Sequence, residues 1–186
     1  GGIALAVRAH VGQPADVKAL VQQTIETFGR VDIVVNNAAT NPHFGPLLTA
    51  HEGQWDKILD TNTKGVFRIC KAMVPHMQTQ GGGKIINIAS LSAWIRGSEY
   101  GGSAYGASKY AVRGFSRYLA VELRAANVRV CCLSPGSTDS HFRGQPTGTP
   151  NWMKTSDIAA AALYIATQRE RVAVAELAFS MVNERW

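Results

Sequence analysis

Three runs in this sequence are apolar at nearly every position: Val31-Asp32-Ile33-Val34-Val35, Lys84-Ile85-Ile86-Asn87-Ile88-Ala89 and Val128-Arg129-Val130-Cys131-Cys132-Leu133. A strand with one face in water alternates apolar and polar side chains. A strand covered on both faces has no need to, and near-continuous Val/Ile runs suit parallel sheets layered with helices on each side. Between the runs the apolar period changes. After Pro14, residues Val17, Leu20, Val21, Thr24, Ile25 and Phe28 recur at helical spacing, and Gly29 closes the segment as a C-terminal cap. Helices are also expected from about Trp55 to Met77, from Tyr105 to about Ala125 and from Ser156 to Thr167. Ile3–Val7 and Val172–Phe179 read as a first and a last strand. Strands alternating with helices predict an α/β fold, a three-layer, doubly wound parallel sheet. No repeat, low-complexity tract or linker divides residues 1–186, so one domain is expected.

Composition narrows the function classes. Of the 186 residues, 46% are hydrophobic, enough for one sizeable core. No apolar run approaches the roughly 18–20 residues that span a bilayer, and Gly1–Arg8 has no signal-peptide layout. The net charge of +6 comes from scattered residues without interleaved stacking aromatics, which argues against nucleic-acid binding. Cys70, Cys131 and Cys132 suit neither a disulfide framework nor a zinc site, and the five histidines have no ligand spacing. A cytoplasmic protein with no metal and no membrane partner is expected.

The chemistry is concentrated in Ser103-Ala104-Tyr105-Gly106-Ala107-Ser108-Lys109. On a helix, Tyr105 and Lys109 share a face. An ammonium beside a phenol favours the phenolate, which makes the pair a candidate acid/base device. Ser90 and the Asn36–Ala39 segment fall at the C-terminal ends of expected strands, where open α/β sheets bind ligands.

Five segments now stand in a fixed order: Asn36-Asn37-Ala38-Ala39, Asn62 within Asp60–Gly65, Ser90 after a strand, Tyr105 with Lys109, and Pro135-Gly136 after the next strand. Together they resemble the short-chain dehydrogenase/reductase family, and Ala39 in place of the usual Gly resembles its carbonyl-reductase-like members. The resemblance implies hydride transfer between NAD or NADP and a carbonyl or secondary alcohol. It makes Tyr105 the proton donor or acceptor and Ser90 a hydrogen-bond donor to the substrate oxygen. Lys109 would support Tyr105 and bond the nicotinamide ribose, and Asn62 would hold a relay water. Ser92 competes with Ser90: it fits the family's spacing of about thirteen residues to the tyrosine, whereas Ser90 fits the strand end.

Cofactor contacts are implied for His10, Val11, Asn36, Ala38, Ala39, Tyr105, Lys109, Pro135, Gly136, Thr138 and Ser140, with Ser137 beside them. Ser90, Ser92, Trp94, Tyr100, Tyr105, Phe142 and Trp152 would face the substrate, under a covering loop at 136–154 that also contains Pro146 and Met153. Their apolar character favours a small apolar substrate. A homodimer or homotetramer through the helices near 55–77 and 105–125 is implied. The glycine-rich phosphate turn of such folds has no counterpart here. Against the family's pattern the chain is therefore expected to be N-terminally incomplete by roughly 40–60 residues, with the NAD/NADP determinant outside it. The alternative is a non-catalytic, oligomerising subunit on the same scaffold.

Overall fold

Asn87 lies at the centre of the sheet because its strand, β2 (Gly83–Ile88), has a parallel neighbour on each side. The computed structural model describes residues 2–94, 102–144 and 147–183. On one side β1 (Ile33–Asn36) pairs with β2, Ile33 opposite Lys84. On the other, β3 (Val128–Pro135) pairs with Gly83 opposite Val128, and β6 (Glu176–Phe179) pairs beyond it with Glu176 opposite Cys132. The order is β1-β2-β3-β6, all parallel. A second, two-stranded sheet joins β4 (Thr138–Asp139) to β5 (Met153–Lys154).

Five α-helices accompany the strands among the described residues: α1 (Pro14–Phe28), α2 (Glu52–Leu59), α3 (Gly65–Thr79), α4 (Ser103–Glu122) and α5 (Thr155–Thr167). They divide between the two faces of the sheet. Val34, Ile85, Val130 and Cys132 point to one face and are covered by Val17 and Val21 of α1, Met73 and Met77 of α3, and Val112 and Leu119 of α4. Ile86, Cys131 and Leu133 point to the other and meet Ile158, Ala161 and Ile165 of α5. Each fully buried Ile or Leu contributes about 1.5–3 kcal/mol, so both layers are needed. The strands step the same way throughout, yet the third crossover passes on the face opposite the first two. It therefore has the opposite hand, a departure from the usual uniform handedness.

Across the helix-side core runs a polar ladder. Asn36 Nδ2 donates to Asn87 Oδ1 at 2.8 Å, Asn87 Nδ2 to Ser116 Oγ at 2.9 Å, and Ser116 Oγ to the Val112 carbonyl at 2.7 Å. Asn87 and Ser116 are 0% and 2% exposed. Because the ladder satisfies its members, it locks β1, β2 and α4 in one register at little desolvation cost.

Four expectations need correction. Ile3–Val7 is not a strand: it is irregular, and Ile3 and Leu5 are 87% and 41% exposed. An apolar run becomes a strand only where a neighbour accepts its ladder, and among the described residues β1 pairs with β2 alone. The last strand shortens to Glu176–Phe179, since the chain first turns through a Val172 N–H bond to the Arg169 carbonyl. The helix expected at 55–77 is α2 and α3 joined by a π-helical turn, Asp60–Lys64. The loop at 136–154 contains β4, a 3-10 turn at His141–Arg143 and β5. Gly82 explains the sharp break before β2: its φ is +140°, and a Cβ there would lie 2.6 Å from the Asn127 carbonyl oxygen. No helix of the described residues is long and apolar enough to cross a membrane.

Replacing Asn87 by Ala leaves Asn36 Nδ2 with only the weak Cys70 Sγ acceptor and removes the amide donor to Ser116 Oγ. The expected loss is about 2–4 kcal/mol, read as a lower urea midpoint with unchanged m-value.

Candidate active site

α4 begins at a fixed place because Gly102 caps it at φ +98° and donates its N–H to the Gly45 carbonyl at 3.2 Å. Tyr105 therefore lies in the first turn, where unpaired helix N–H groups favour negative charge. One turn later Lys109 enters the protein and is 3% exposed. Its Nζ donates to the carbonyl of Ile88, the last residue of β2, at 2.8 Å. The same Nζ stands 5.6 Å from the centroid of the Tyr105 ring. Burial pushes the Lys109 ammonium down from 10.5 to about 8, with the buried Cys132 opposing slightly.

Two residues beyond Ile88, Ser90 opens a 3-10 turn, Leu91–Ala93. Its Oγ accepts the Ser92 N–H at 3.1 Å and donates to Ser92 Oγ at 3.3 Å. The two candidate serines are thus partners at one strand end.

Asn62, 1% exposed, sits in the π-helical turn. Such insertions re-aim side chains and recur at functional sites. Its Oδ1 accepts the Thr40 N–H at 2.8 Å. Its Nδ2 donates to the Thr40 carbonyl at 3.0 Å and to Ser108 Oγ at 3.1 Å. Ser108 Oγ in turn donates to the Tyr105 carbonyl at 2.7 Å. The Asn62 side chain ties the loop after β1 to the first turns of α4.

The implied cofactor residues divide by location. Asn36 turns its amide inward, onto Asn87 and onto Cys70 Sγ at 3.4 Å, while Ala38 is exposed and Ala39 half-buried. Val11 packs into the helix-side core, where a Cβ on Gly65 would meet Val11 Cγ2 at 2.7 Å. His10 is exposed, and its Nδ1 accepts the Gly12 N–H at 3.0 Å. Pro135 stands opposite Phe179, whose carbonyl takes the Gly136 N–H at 2.9 Å. Thr138 Oγ1 donates to the Gly136 carbonyl at 3.1 Å. Ser140 Oγ accepts the Phe142 N–H at 3.4 Å.

Among the implied substrate residues, Phe142 reaches Tyr105, ring centroids 5.8 Å apart at 52°. Trp152 is half-buried just before β5. Trp94 stacks instead on the Arg113 guanidinium, 3.4 Å from its ring centroid. Tyr100 and Pro146 fall outside the described residues.

Sequence reasoning passed over Ser108, Thr40 and Asp139. Ser108 sat in the tyrosine–lysine run without a role. Asp139 ties the neck of the 136–154 loop. Its carboxylate, 7% exposed, accepts from Lys154 Nζ at 2.8 Å, from the Gly148 N–H at 2.9 and 3.0 Å, and from the Thr149 N–H at 3.3 Å. The Lys154 bond, followed by the Gly148 N–H, holds Asp139 below the ordinary carboxylate range. Among the described residues no three His, Cys, Asp or Glu side chains group to hold a metal ion.

The chain as a whole is similar to known proteins. Residues 1–149 match the short chain dehydrogenase family. The chain belongs to the short-chain dehydrogenase/reductase family. It is 44% identical over 133 residues to rabbit (Oryctolagus cuniculus) dehydrogenase/reductase SDR family member 4, covering 72% of this chain and 50% of that protein. The human (Homo sapiens) protein of the same name is 41% identical over 133 residues, 72% of this chain and 47% of its own length. The chain thus spans about half the length of these relatives. An alcohol dehydrogenase from the archaeon Thermococcus sibiricus, complexed with 5-hydroxy-NADP, superposes with a TM-score of 0.87 at 29% identity, over 95% of this chain and 74% of that one. The closed form of a serine dehydrogenase complexed with NADP+ gives 0.89 at 26%, over 96% and 76%. The short-chain dehydrogenase/reductase fold of this chain is therefore shared with proteins solved with NADP-type ligands.

Two outcomes follow from the charges at the site. Because Lys109 falls from 10.5 unfolded to about 8 folded, the folded form binds fewer protons between those values and stability rises with pH across that window. Urea unfolding at pH 7.5 and 10.5 is expected to show about 2–3 kcal/mol more rise for the wild type than for Lys109→Met. Asp139 gives a slope of the same sign for a different reason, since here the charged form is the one that folding stabilises. Its depressed value means that the stabilisation is present above about 3.9, the ordinary Asp value, and is lost as pH falls through the lower folded value. The Gly148 and Thr149 amide resonances are expected to move with an acid midpoint below 3.8, and Lys154→Met should shift that midpoint upward.

Proposed function

We propose that the protein is an NAD(P)-dependent oxidoreductase that interconverts a small apolar carbonyl compound and its secondary alcohol. The observation that carries this reading is the Lys109 bond to the Ile88 carbonyl. It sets the Tyr105 face of α4 against the strand end that leads to Ser90.

The donor set fits the nicotinamide–ribose half of such a cofactor. Lys109 has three N–H donors, of which Ile88 takes one, and the others suit ribose hydroxyls. Gly136, Thr138 and Ser140 at the end of β3 would lie beside the carboxamide. The phosphate half is different. Gly12 and Gly65 are closed by His10, Asp60 and Val11 side chains, and Gly82 and Gly83 by Asn127 and Met77. No backbone cradle for a pyrophosphate is built from these glycines.

When bound, the cofactor supplies the hydride in reduction and takes it in oxidation. Tyr105 gives its hydroxyl proton to the substrate oxygen in reduction and recovers it in oxidation. As the proton leaves, the Lys109 ammonium and the first-turn N–H groups of α4 stabilise the phenolate. Ser90 Oγ donates a hydrogen bond to the same substrate oxygen as negative charge grows there. Phe142, held against Tyr105, presents an apolar wall and keeps water from the reacting carbon.

The cell compartment we propose is the cytoplasm, and the assembly a homodimer or homotetramer. Phe67 and Phe115 meet edge to face between α3 and α4, Phe67 is 47% exposed, and Tyr118 and Val121 of α4 are 77% and 64% exposed.

Turnover is checked by NADH or NADPH oxidation with an apolar aryl ketone, in the protein carried to the length of its relatives. Tyr105→Phe is expected to lower kcat by about 10²–10⁴ while cofactor affinity is kept. Full activity in that variant overturns the assignment.

A further inference from the structure

We propose that Arg113 is a positioning residue for the Ser90 hydroxyl, holding the strand-end segment 88–93 against α4 at the end opposite Lys109. The inference rests on the reading of Ser90 as the residue that meets the substrate oxygen.

Tyr105, Lys109 and Arg113 follow one another at intervals of four along α4 and so occupy one side of it. Two of the three reach the same stretch of chain. Lys109 Nζ takes the Ile88 carbonyl at 2.8 Å. Arg113 Nη1 takes the Ala93 carbonyl at 3.1 Å. Ser90 and Ser92 lie between those two anchors. The bonds within the segment, Ala93 N–H to the Ser90 carbonyl at 2.9 Å and Trp94 N–H to the Leu91 carbonyl at 2.8 Å, shape the turn but do not place it against the helix. The Ala89 N–H bond to the Leu133 carbonyl at 2.7 Å secures the start of the segment to β3. Arg113 secures its far end to the helix that carries Tyr105.

Arg113 can do this because it is itself fixed. Its Nε and Nη2 form a fork on Glu176 of β6, at 3.1 and 3.2 Å. Its flat face lies under Trp94, 3.4 Å from the ring centroid. The pair is mostly shielded, with side chains 20% and 18% exposed, so solvent screens it less than an ordinary surface bridge. Arg117 Nε, 3.8 Å from the same carboxylate, adds a second cation. A guanidinium alone supplies the fork, the stacking face and a further N–H in one rigid plane; a lysine supplies a single point charge. The bracket joins α4, the Ser90 turn and β6.

Hydrogen exchange and kinetics on the same variants test this. In Arg113→Ala, the Ser92 and Ala93 amides are expected to lose about tenfold or more of their protection, with the β2 amides unchanged. Arg113→Lys should not restore it. In the protein used for the turnover assay, Arg113→Ala is expected to lower kcat about tenfold with KM within about threefold, and to add less than about twofold in a Ser90→Ala background. Unchanged protection overturns the proposal. So do losses that multiply with Ser90→Ala, or a fall in melting temperature with kcat intact. If the wild type reduces no carbonyl with either cofactor, the proposed function fails. The exchange result then decides the bracket alone: lost protection upholds it and unchanged protection overturns it.

Discussion

The arrangement at the end of β2 depends on one buried charge. Lys109 is 3% exposed and is met by the carbonyl of Ile88. Withdrawing an ammonium from water is costly, and the fall to about 8 corresponds to about 3 kcal/mol of destabilisation at neutral pH. A chain optimised for stability alone would place Met or Leu there. Retaining the charge has a geometric effect: its Ile88 acceptor lies on the central strand, so α4 cannot slide along the sheet without breaking that bond. Tyr105, one turn earlier, inherits that register.

The second constraint is the π-helical turn at Asp60–Lys64. An uninterrupted α-helix from Glu52 to Thr79 would advance about 100° per residue, and the extra residue shifts everything after it around the axis. The shift lets Asn62 point inward and bond Thr40 and Ser108 together. Through Ser108 it reaches the Tyr105 carbonyl. Lys109 thus fixes the helix against the sheet from below, and Asn62 fixes the loop after β1 against the helix from the side.

The sequence was informative where the signal was periodic. The runs around Val34, Ile86 and Val130 become adjacent parallel strands, and the Val17-to-Phe28 spacing becomes α1 with Gly29 in the left-handed cap. It misled where pairing depends on a neighbour: Ile3–Val7 has strand composition but pairs with no strand among the described residues. The π turn carries no periodic mark over five residues, so Trp55–Met77 read as one helix. The residues assigned to proton handling were picked out through an ordered set of short motifs, and the fold gathers Tyr105, Lys109, Ser90 and Asn62 around the end of β2 and the start of α4. Asp139, Ser108 and the Arg113–Glu176 fork were not, because each contact joins positions whose proximity only the fold creates; Arg113 and Glu176 are 63 residues apart. Trp94 shows the same limit from the other side. Its place between Ser90 and Tyr105 suggested a pocket wall, whereas a guanidinium occupies its face.

The two halves of the sheet differ in how far their surroundings match their composition. β2 and β3 are written for burial on both faces and are buried on both, with Ile85, Ile86, Cys132 and Leu133 all at 0% exposure. β1 is written the same way but is covered on one face only, with Ile33 and Val35 open at 44% and 49%. The candidate site residues do not rest on that face. Lys109 bonds β2 and Ser90 follows β2, a strand buried between the two helix layers, while the Arg113 bracket ends on the partly buried β6. Asn62 alone reaches toward the open side, through Thr40. Movement at β1 would therefore reach α4 by two routes, through Asn62 and Ser108 and through the Asn36–Asn87–Ser116 ladder. The first turns of α4, with Tyr105, are tied to the sheet centre through Lys109 and the Asn87–Ser116 bond as well as to the loop after β1.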